Sequence, residues 1–251
     1  MTASTYPRPH PGARRRGGLA DEVAAYVRDL ILTGSLRPGT RIDQEAIAAA
    51  LDVSRSPIRE ALVILGQEGL LDVTPRRGAS VAHLAPEDIV DHYELYGVVA
   101  GRAAAMAAAT LEDEQIAELE AIHARFSRHR DDGEDLSRLN FEFHRILNTV
   151  APRRTRWLLR LLERSVPTDY YEFADGWNRR AIDQHAAILE AVIARDPDRA
   201  RQAMEEHLRQ SGLAAAEALR ASGFWDDALG SSGALVSAST SVPPTQNRSN
   251  P

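Results

Sequence analysis

The chain has 251 residues, which is long enough for two domains with separate apolar cores. It contains no cysteine, which excludes disulfide bonds and thiolate metal sites. The sequence has neither a signal-peptide pattern nor an apolar run of about 18 residues, so we expect a cytoplasmic protein with no membrane segment. The net charge is −6, yet the first 82 residues carry 11 arginines against 9 acidic residues, which leaves the positive charge in the N-terminal part.

Both ends of the chain are predicted to be disordered. Residues 1–15 are rich in proline and poor in apolar side chains, and residues 223–251 end in a long stretch of Ser, Gly, Pro, Thr and Asn. The Arg14–Arg16 run predicts either an arm that contacts phosphates or the minor groove, or a solvated tail. Between these ends we predict one domain over residues 16–82 and a second over residues 83–222.

Residues 43–65 predict two short helices joined by a tight turn. Asp43 can cap the first helix and Ser54 the second, whose first turn tolerates Pro57 because its N–H groups lack helical partners anyway. At helical spacing, one face of the second helix carries the apolar residues Ile58, Ala61, Leu62 and Leu65. The neighbouring face carries Arg55, Ser56 and Arg59.

The two arginines favour either DNA contact or a solvated helical face. The N-terminal half of a recognition helix reaches base edges, where guanidinium groups bind guanine or phosphate. The next segment of the chain favours DNA, because residues 69–74 and 79–81 predict two short strands joined by the basic turn Pro75–Gly78. With an amphipathic helix over Leu19–Ile31, these elements predict a winged helix-turn-helix domain.

These motifs resemble the GntR family of bacterial transcription regulators. The resemblance rests on Gly34–Gly39 (GSLRPG), Val53–Leu62 (VSRSPIREAL), Glu68–Leu70 and Arg76–Gly78. It implies that the DNA-contacting residues are Ser54, Arg55, Ser56, Arg59, Arg76, Arg77 and Gly78. Some members carry a DNA-contacting arginine where this chain has Glu45. The family implies a transcription regulator, expected to be a repressor, that binds a palindromic operator in double-stranded DNA as a homodimer.

The second domain is predicted to be an antiparallel all-helical bundle, which makes the fold mainly α. Helical patterns cover residues 86–109, 110–133, 134–150, 153–164, 177–195 and 196–221, and no strand pattern follows the wing. Pro86 and Pro197 suit first helical positions. Thr110–Asp113 resembles a capping box at the start of the second of these helices.

Three histidines and an asparagine are predicted to face the interior of this bundle. Asn140 and His144 lie four residues apart on the edge of one apolar stripe, and His185 and His207 fall inside the stripes of two other helices. A single inward histidine is usually a satisfied core residue. Three on three helices indicate a divalent metal ion such as zinc or nickel, because imidazole suits these ions and bundles build such sites from facing helices.

This pattern is similar to the metal site of the FadR-type C-terminal ligand-binding (FCD) domain of the same family. There a divalent metal is held by an Asp, a His four residues later and two further histidines. In this chain the corresponding positions are Asn140, His144, His185 and His207. The resemblance implies a small carboxylate effector. Because Asn140 replaces the usual Asp, all four ligands would be neutral, which predicts weaker metal binding and stronger attraction for an anion.

The effector pocket departs from the family in the first bundle helix. Tyr96 and Ala100 stand where related domains often have Arg and Glu, and Arg102 is the nearest alternative cation. We therefore predict, on weaker grounds than for the metal ligands, that Tyr96 and Arg102 contact the effector. Two other functions stay open, namely a regulator whose metal is itself the signal or purely structural, and a metalloenzyme fused to a DNA-binding head. The second is disfavoured because no HExxH or equivalent general base accompanies the histidines, so no catalytic residue is assigned.

Overall fold

The computed structural model describes residues 18–74, 77–128, 136–164 and 177–226. Within these ranges the chain forms nine helices and one two-stranded sheet, which confirms the mainly helical fold. The predicted arm over 1–15, Arg76 of the wing, and residues 227–251 of the predicted tail lie outside the described residues. The elements are α1 Leu19–Leu32, α2 Gln44–Leu51, α3 Arg55–Gln67, β1 Leu71–Thr74, β2 Gly78–Val81, α4 Pro86–Thr110, α5 Asp113–Arg128, α6 Leu136–Thr149, α7 Arg153–Arg164, α8 Trp177–Ile193 and α9 Pro197–Ala221.

The first domain is a helix-turn-helix with a wing. Asp43 caps α2 as predicted, because its Oδ1 accepts from the backbone N–H groups of Glu45 and Ala46, each at 3.0 Å. The turn into α3 passes through Asp52, whose φ of 53° lies in the left-handed region. Ser54 occupies the N-cap position of α3, but its side chain makes no capping hydrogen bond, which differs from the prediction. Its hydroxyl is instead exposed.

The wing is an antiparallel hairpin. Leu71 pairs with Val81 and Thr74 with Gly78, and Arg41 forms an isolated bridge with Ser80 on the outer side of β2. Leu71 and Val81 are buried, so this end of the hairpin packs on the core of the domain. The other end, between Thr74 and Gly78, is the tip of the wing.

The second domain is a helical bundle arranged around α4 and α9. These two long helices approach closely because glycines stand at their contact. A Cβ atom at Gly212 of α9 would lie 2.7 Å from Cβ of Tyr93, and one at Gly101 of α4 would lie 3.0 Å from the carbonyl oxygen of Arg201. Larger residues would therefore push the helices apart. The bundle core lies between α4, α5, α6, α7, α8 and α9.

The start of α5 differs from the predicted capping box. The Thr110 hydroxyl donates to the carbonyl oxygen of Met106 at 2.8 Å, which keeps Thr110 inside α4. The side chain of Gln115 accepts from the backbone N–H of Glu112 at 3.1 Å and supplies the cap. The prediction that Thr110 begins a helix was wrong because a threonine hydroxyl can equally bond to a carbonyl in its own helix.

The predicted disordered tail also begins too early. Phe224 and Trp225 are buried in the core of the first domain, at 1% and 8% exposure. Nε1 of Trp225 donates to the carbonyl oxygen of Leu84 at 2.6 Å, just after the wing. Two aromatic side chains bury enough apolar surface to order a short segment, although the sequence beyond it is polar. The end of α9 is thereby attached to the first domain.

Candidate functional site

The start of α3 exposes the side chains predicted to contact DNA. They are Ser54, Arg55, Ser56 and Arg59. Ile58, Ala61 and Leu62 are buried on the core side of the same helix. The apolar spacing of this helix therefore matches its burial, and the basic side is open to solvent. Contact of these four residues with DNA stays a prediction.

Glu45 forms an ion pair with Arg55 across the helix-turn-helix. Arg55 Nη2 lies 2.6 Å from Glu45 Oε1, and the two side chains are 68% and 78% exposed. An exposed pair contributes little to stability. Its effect is on Arg55, because a carboxylate beside the guanidinium occupies one of its donors and limits its orientation. Glu45 departs from the family pattern, but its contact with Arg55 was not predicted from the sequence.

The tip of the wing carries Arg77 and Gly78. Arg77 is exposed, and Gly78 has a φ of 97°, which a residue with a side chain rarely adopts. Nη2 of Arg41 donates to the carbonyl oxygen of Arg77 at 3.0 Å, which ties the tip to the segment before α2. Arg41 was not predicted from the sequence, because only the tertiary fold brings residues 41 and 77 together.

In the bundle, the structure brings His144 of α6, His185 of α8 and His207 of α9 together. One ring nitrogen from each lies within 4.8 Å of the others. The three side chains are buried, at 8%, 1% and 3% exposure. Such a spacing lets three nitrogens face one small cation. The prediction that these histidines converge is thus supported by their positions, whereas their role as ligands stays a prediction.

Two buried polar atoms on the helices of this cluster have no hydrogen-bond partner, and the proton of His207 can be placed. Nδ1 of His207 lies 2.8 Å from Oε1 of Gln184, and because an amide oxygen can only accept, this nitrogen carries the proton. Nε2 of His207 is then deprotonated. Among the described residues, Nε2 of His185 and Oδ1 of Asn140 are buried and have no hydrogen-bond partner. A buried polar atom without a partner is costly, and a cation bound through the lone pair of His185 Nε2 would remove that cost. The residues therefore fit a divalent metal ion.

Burial keeps the three imidazoles neutral. It lowers the pKa of His144 to about 4. The pKa of His185 falls well below its ordinary value through burial and through repulsion from its neighbours His207 and His144. The pKa of His207 is lowered by burial and by His144. Neutral imidazole is the form that binds metal, so few protons compete with a cation near pH 7.

Aromatic rings enclose one side of the cluster. The ring of Phe143 stacks on His185 at a centroid distance of 4.4 Å, and Phe126 lies 5.3 Å from the same imidazole. His123 of α5 stands behind them, and its Nε2 donates to the carbonyl oxygen of Ile182 at 3.1 Å. The phenylalanines hold the imidazole plane and exclude water. Gln184 and His123 were not predicted from the sequence, because neither lies at a spacing that distinguishes it from an ordinary helix residue.

The two weaker effector candidates lie on α4 in different environments. Tyr96 is buried in the bundle core at 5% exposure. Arg102 is exposed. Their contact with an effector stays a prediction.

Two stretches of the chain match known protein families. Residues 19–81 match the bacterial regulatory proteins of the gntR family, and residues 91–210 match the FCD domain. A helix-turn-helix transcriptional regulator of Mycobacterium tuberculosis is 31% identical over 184 residues, which cover 73% of this chain and 75% of the relative. The chain belongs to the gntR family. It is a DNA-binding transcription regulator with a C-terminal FCD domain, as the motifs indicated.

One further relative and two solved structures are similar to this chain. The transcriptional repressor RspR of Escherichia coli is 27% identical over 180 residues, covering 70% of this chain and 79% of the relative. A solved structure named as the regulator GntR from Rhodococcus sp. RHA1 is 27% identical with a TM-score of 0.54, covering 82% of this chain and 99% of that one. Escherichia coli McbR/YncC, at 23% identity and a TM-score of 0.59, covers 77% of this chain and 95% of its own and shares the fold.

The relatives whose names state a function are transcription regulators, not enzymes. FCD domains often bind metal, and the three-histidine group could hold one. Among the helices that the structure describes, none is long and apolar enough to cross a membrane.

Proposed function

We propose that this gntR-family regulator is a bacterial, cytoplasmic repressor whose operator affinity is controlled by a small carboxylate bound at a metal centre in the FCD domain. The proposed ligands are Asn140, His144, His185 and His207. The observation that carries the proposal is the convergence of His144, His185 and His207, with one ring nitrogen of each within 4.8 Å of the others, together with two buried polar atoms that have no hydrogen-bond partner, His185 Nε2 and Asn140 Oδ1. A divalent cation held by the three imidazoles would satisfy His185 Nε2, and Asn140, one helical turn before His144, would supply the fourth ligand.

The donor set suits zinc or nickel. Three imidazole nitrogens and one amide oxygen are neutral, so the ion would keep its double positive charge. When bound, it would supply that charge and open coordination positions to an anion. The chain's own residues prepare the site, because Gln184 holds the proton of His207 on Nδ1 and Phe143 stacks against His185. Tyr96, which is buried, is better suited than the exposed Arg102 to contact an enclosed carboxylate.

DNA recognition is proposed to use the exposed side of α3 and the wing. The residues are Ser54, Arg55, Ser56, Arg59, Arg76, Arg77 and Gly78. One winged helix contacts too little DNA for a specific site, and we therefore propose a homodimer on a palindromic operator. Leu95 and Val98 of α4 support the dimer, because they are 54% and 61% exposed and lie three residues apart on one side of the helix.

The helix α9 connects the two activities. His207 of the cluster lies on this helix, and twelve residues later Leu219 is buried in the core of the DNA-binding domain. Phe224 and Trp225 continue this contact. A helix of this kind transmits a shift or rotation at one end to the other, a distance of about 18 Å at 1.5 Å per residue. Effector binding at the cluster is thereby coupled to the orientation of the DNA-binding head.

A panel of small carboxylic acids tests the proposal. We would measure the metal content of purified protein and record thermal melts of wild type, His185→Ala and Gln202→Ala with each acid. The expected result is about one metal per chain and an acid-dependent rise in Tm that is lost in His185→Ala. Gln202 is exposed on α9 and outside the cluster, so Gln202→Ala is the control and should behave as wild type. Absence of metal and of any acid-dependent shift overturns the metal-anchored sensor.

The role of the neutral amide is tested separately. Asn140→Asp introduces a charged ligand, so we expect tighter metal binding and weaker carboxylate binding. Tighter metal without weaker carboxylate binding contradicts the second part.

A second candidate is a regulator for which the metal itself is the signal or is only structural. Asn140 favours an exchangeable metal, because a neutral amide is a weaker ligand than a carboxylate. Operator binding titrated with Zn²⁺, Ni²⁺ and a chelator distinguishes the candidates. A response to metal without any acid supports metal sensing, and a response that needs the acid supports the carboxylate sensor.

A further inference from the structure

A cavity of about 760 Å³ lies at the junction of the two domains. Its wall comes from the end of α1, the α3–β1 turn, the segment after β2, the start of α4 and the end of α9. No residue of the histidine cluster lines it. The volume lies within the range of sites that enclose small organic ligands. This junction cavity is thus a second pocket, separate from the proposed metal centre.

The floor of the junction cavity is apolar. Leu70 and Leu219 are buried at 4% and 5% exposure, and Ala215 at 3%. Ile89 and Ala218 complete this surface. Alanines on α9 leave the space that larger side chains would fill. An apolar ring or short hydrocarbon chain would be removed from water here, at about 25 cal/mol per Å² of apolar surface.

The polar groups of the wall are mainly acceptors. Asp72 and Asp88 contribute carboxylates, His83 contributes an imidazole that can donate or accept, and no arginine is among the described residues that line the cavity. The third carboxylate, Glu68, is already paired with Arg28 through contacts of 2.7 to 3.0 Å. Oδ2 of Asp88 accepts from the backbone N–H of Ala85 at 2.7 Å, a bond that leaves the carboxylate charged and without a paired cation. A wall with two further carboxylates and no guanidinium from the described part of the chain repels anions and attracts cations.

His92 adds one more acceptor. Its Nε2 lies 2.9 Å from the carbonyl oxygen of Leu162, so this nitrogen carries the proton and donates. Nδ1 of the neutral ring is then an acceptor. Burial lowers the pKa of His92 and keeps the ring neutral near pH 7. The hydroxyl groups of Thr33 and Ser222 in the wall donate to the backbone carbonyl oxygens of Asp29 and Leu219, so towards a ligand they too act as acceptors.

We propose that the junction cavity binds a small amphipathic amine, whose apolar part lies against Leu70, Leu219 and the alanines of α9 and whose ammonium group faces Asp72 and Asp88. The ligand contacts both domains at once. Its binding therefore stabilises one arrangement of the DNA-binding head relative to the bundle, independently of the histidine cluster. This site goes beyond the proposed carboxylate response and has the opposite charge preference.

Three probes with one ring and different charge test the proposal, namely benzylamine, benzyl alcohol and benzoate. Binding to the full chain would be measured by isothermal titration and by the shift in Tm. The order of affinity expected is benzylamine, then benzyl alcohol, then benzoate. The measurements are repeated in His185→Ala, where benzoate has no cluster to bind. Unchanged benzylamine binding in that variant separates the junction cavity from the proposed metal centre.

Two variants probe the cavity wall. Ala218→Phe fills the apolar floor and should abolish benzylamine binding. Asp72→Asn keeps the shape and removes one charge, so it should weaken benzylamine about fivefold and leave benzyl alcohol unchanged, as expected for one charge pair at about 4 Å in water. Glu120→Gln, an exposed charge removal on α5, is the matched control and should change neither.

Several outcomes overturn the inference. Equal affinity for the three probes, or tighter binding of benzoate in His185→Ala, contradicts the charge preference. If Ala218→Phe still binds benzylamine, then benzylamine binds to another part of the surface and not in the junction cavity. Because Asp72 is exposed and Asp72→Asn is expected to fold, its result decides the matter even if Ala218→Phe is unstable.

Discussion

Replacement of Gln184 by leucine should weaken metal binding without removing any proposed ligand. Gln184 accepts from Nδ1 of His207 at 2.8 Å, which leaves Nε2 of that ring deprotonated and available to the metal. With leucine at 184, the metal-bound protein contains a buried N–H donor without an acceptor, a cost of about 1–3 kcal/mol. The metal-free protein avoids part of this cost, because the proton can move to Nε2. The remaining difference in cost between the metal-bound and the metal-free protein corresponds to a loss of about tenfold to a hundredfold in metal affinity.

Competition with a chelator of known affinity measures this change for Zn²⁺ and Ni²⁺. Gln184→Glu is the informative partner variant, because a carboxylate at the same position makes the imidazole a stronger ligand and should raise metal affinity. Gln202→Leu removes an exposed glutamine of α9 and serves as the control. If Gln184→Leu and Gln184→Glu bind metal as tightly as wild type, then the orientation of His207 does not limit binding and the reasoning fails.

Three further predictions concern stability, measured as the free energy of unfolding in urea. Arg28→Ala should lower the free energy of unfolding by about 3–5 kcal/mol, because it leaves Glu68, whose side chain is 3% exposed, as a buried unpaired charge. A double replacement of Arg28 and Glu68 by leucine should recover most of this loss. Failure to recover it would contradict the charge argument. Trp225→Ala should cost about 3–5 kcal/mol, whereas Trp157→Ala, at a position 50% exposed, should stay within about 0.5 kcal/mol of wild type. Burial lowers the pKa of His92 below its unfolded value, so its contribution to stability is present above about pH 6.5 and is lost as the pH falls. His92→Gln should therefore reduce the stability difference between pH 7.5 and pH 5, and an unchanged difference would contradict the assignment.

Features that repeat at short range were predictable from the sequence. The exposed side of α3, with Arg55 and Arg59, follows from helical periodicity, since residues three and four apart share a face regardless of what packs beside them. The cap at Asp43 follows from chemistry within four residues. His144, His185 and His207 were predicted to face inward for the same reason, although their convergence depends on three helices meeting.

Contacts between distant segments were decided by the tertiary structure. In the sequence, nothing distinguishes Gln184 from other polar helix residues. Only the packing of α8 on α9 places its side chain beside His207. Arg28 lies forty residues from Glu68, and no local pattern relates them. Trp225 precedes a polar stretch, and its composition alone suggested disorder. Periodicity and capping depend on residues within about one helical turn of each other, whereas burial, ion pairs between distant residues and cavities arise only where separate elements pack. The family of this protein could therefore be inferred from its sequence motifs. Its junction cavity could not.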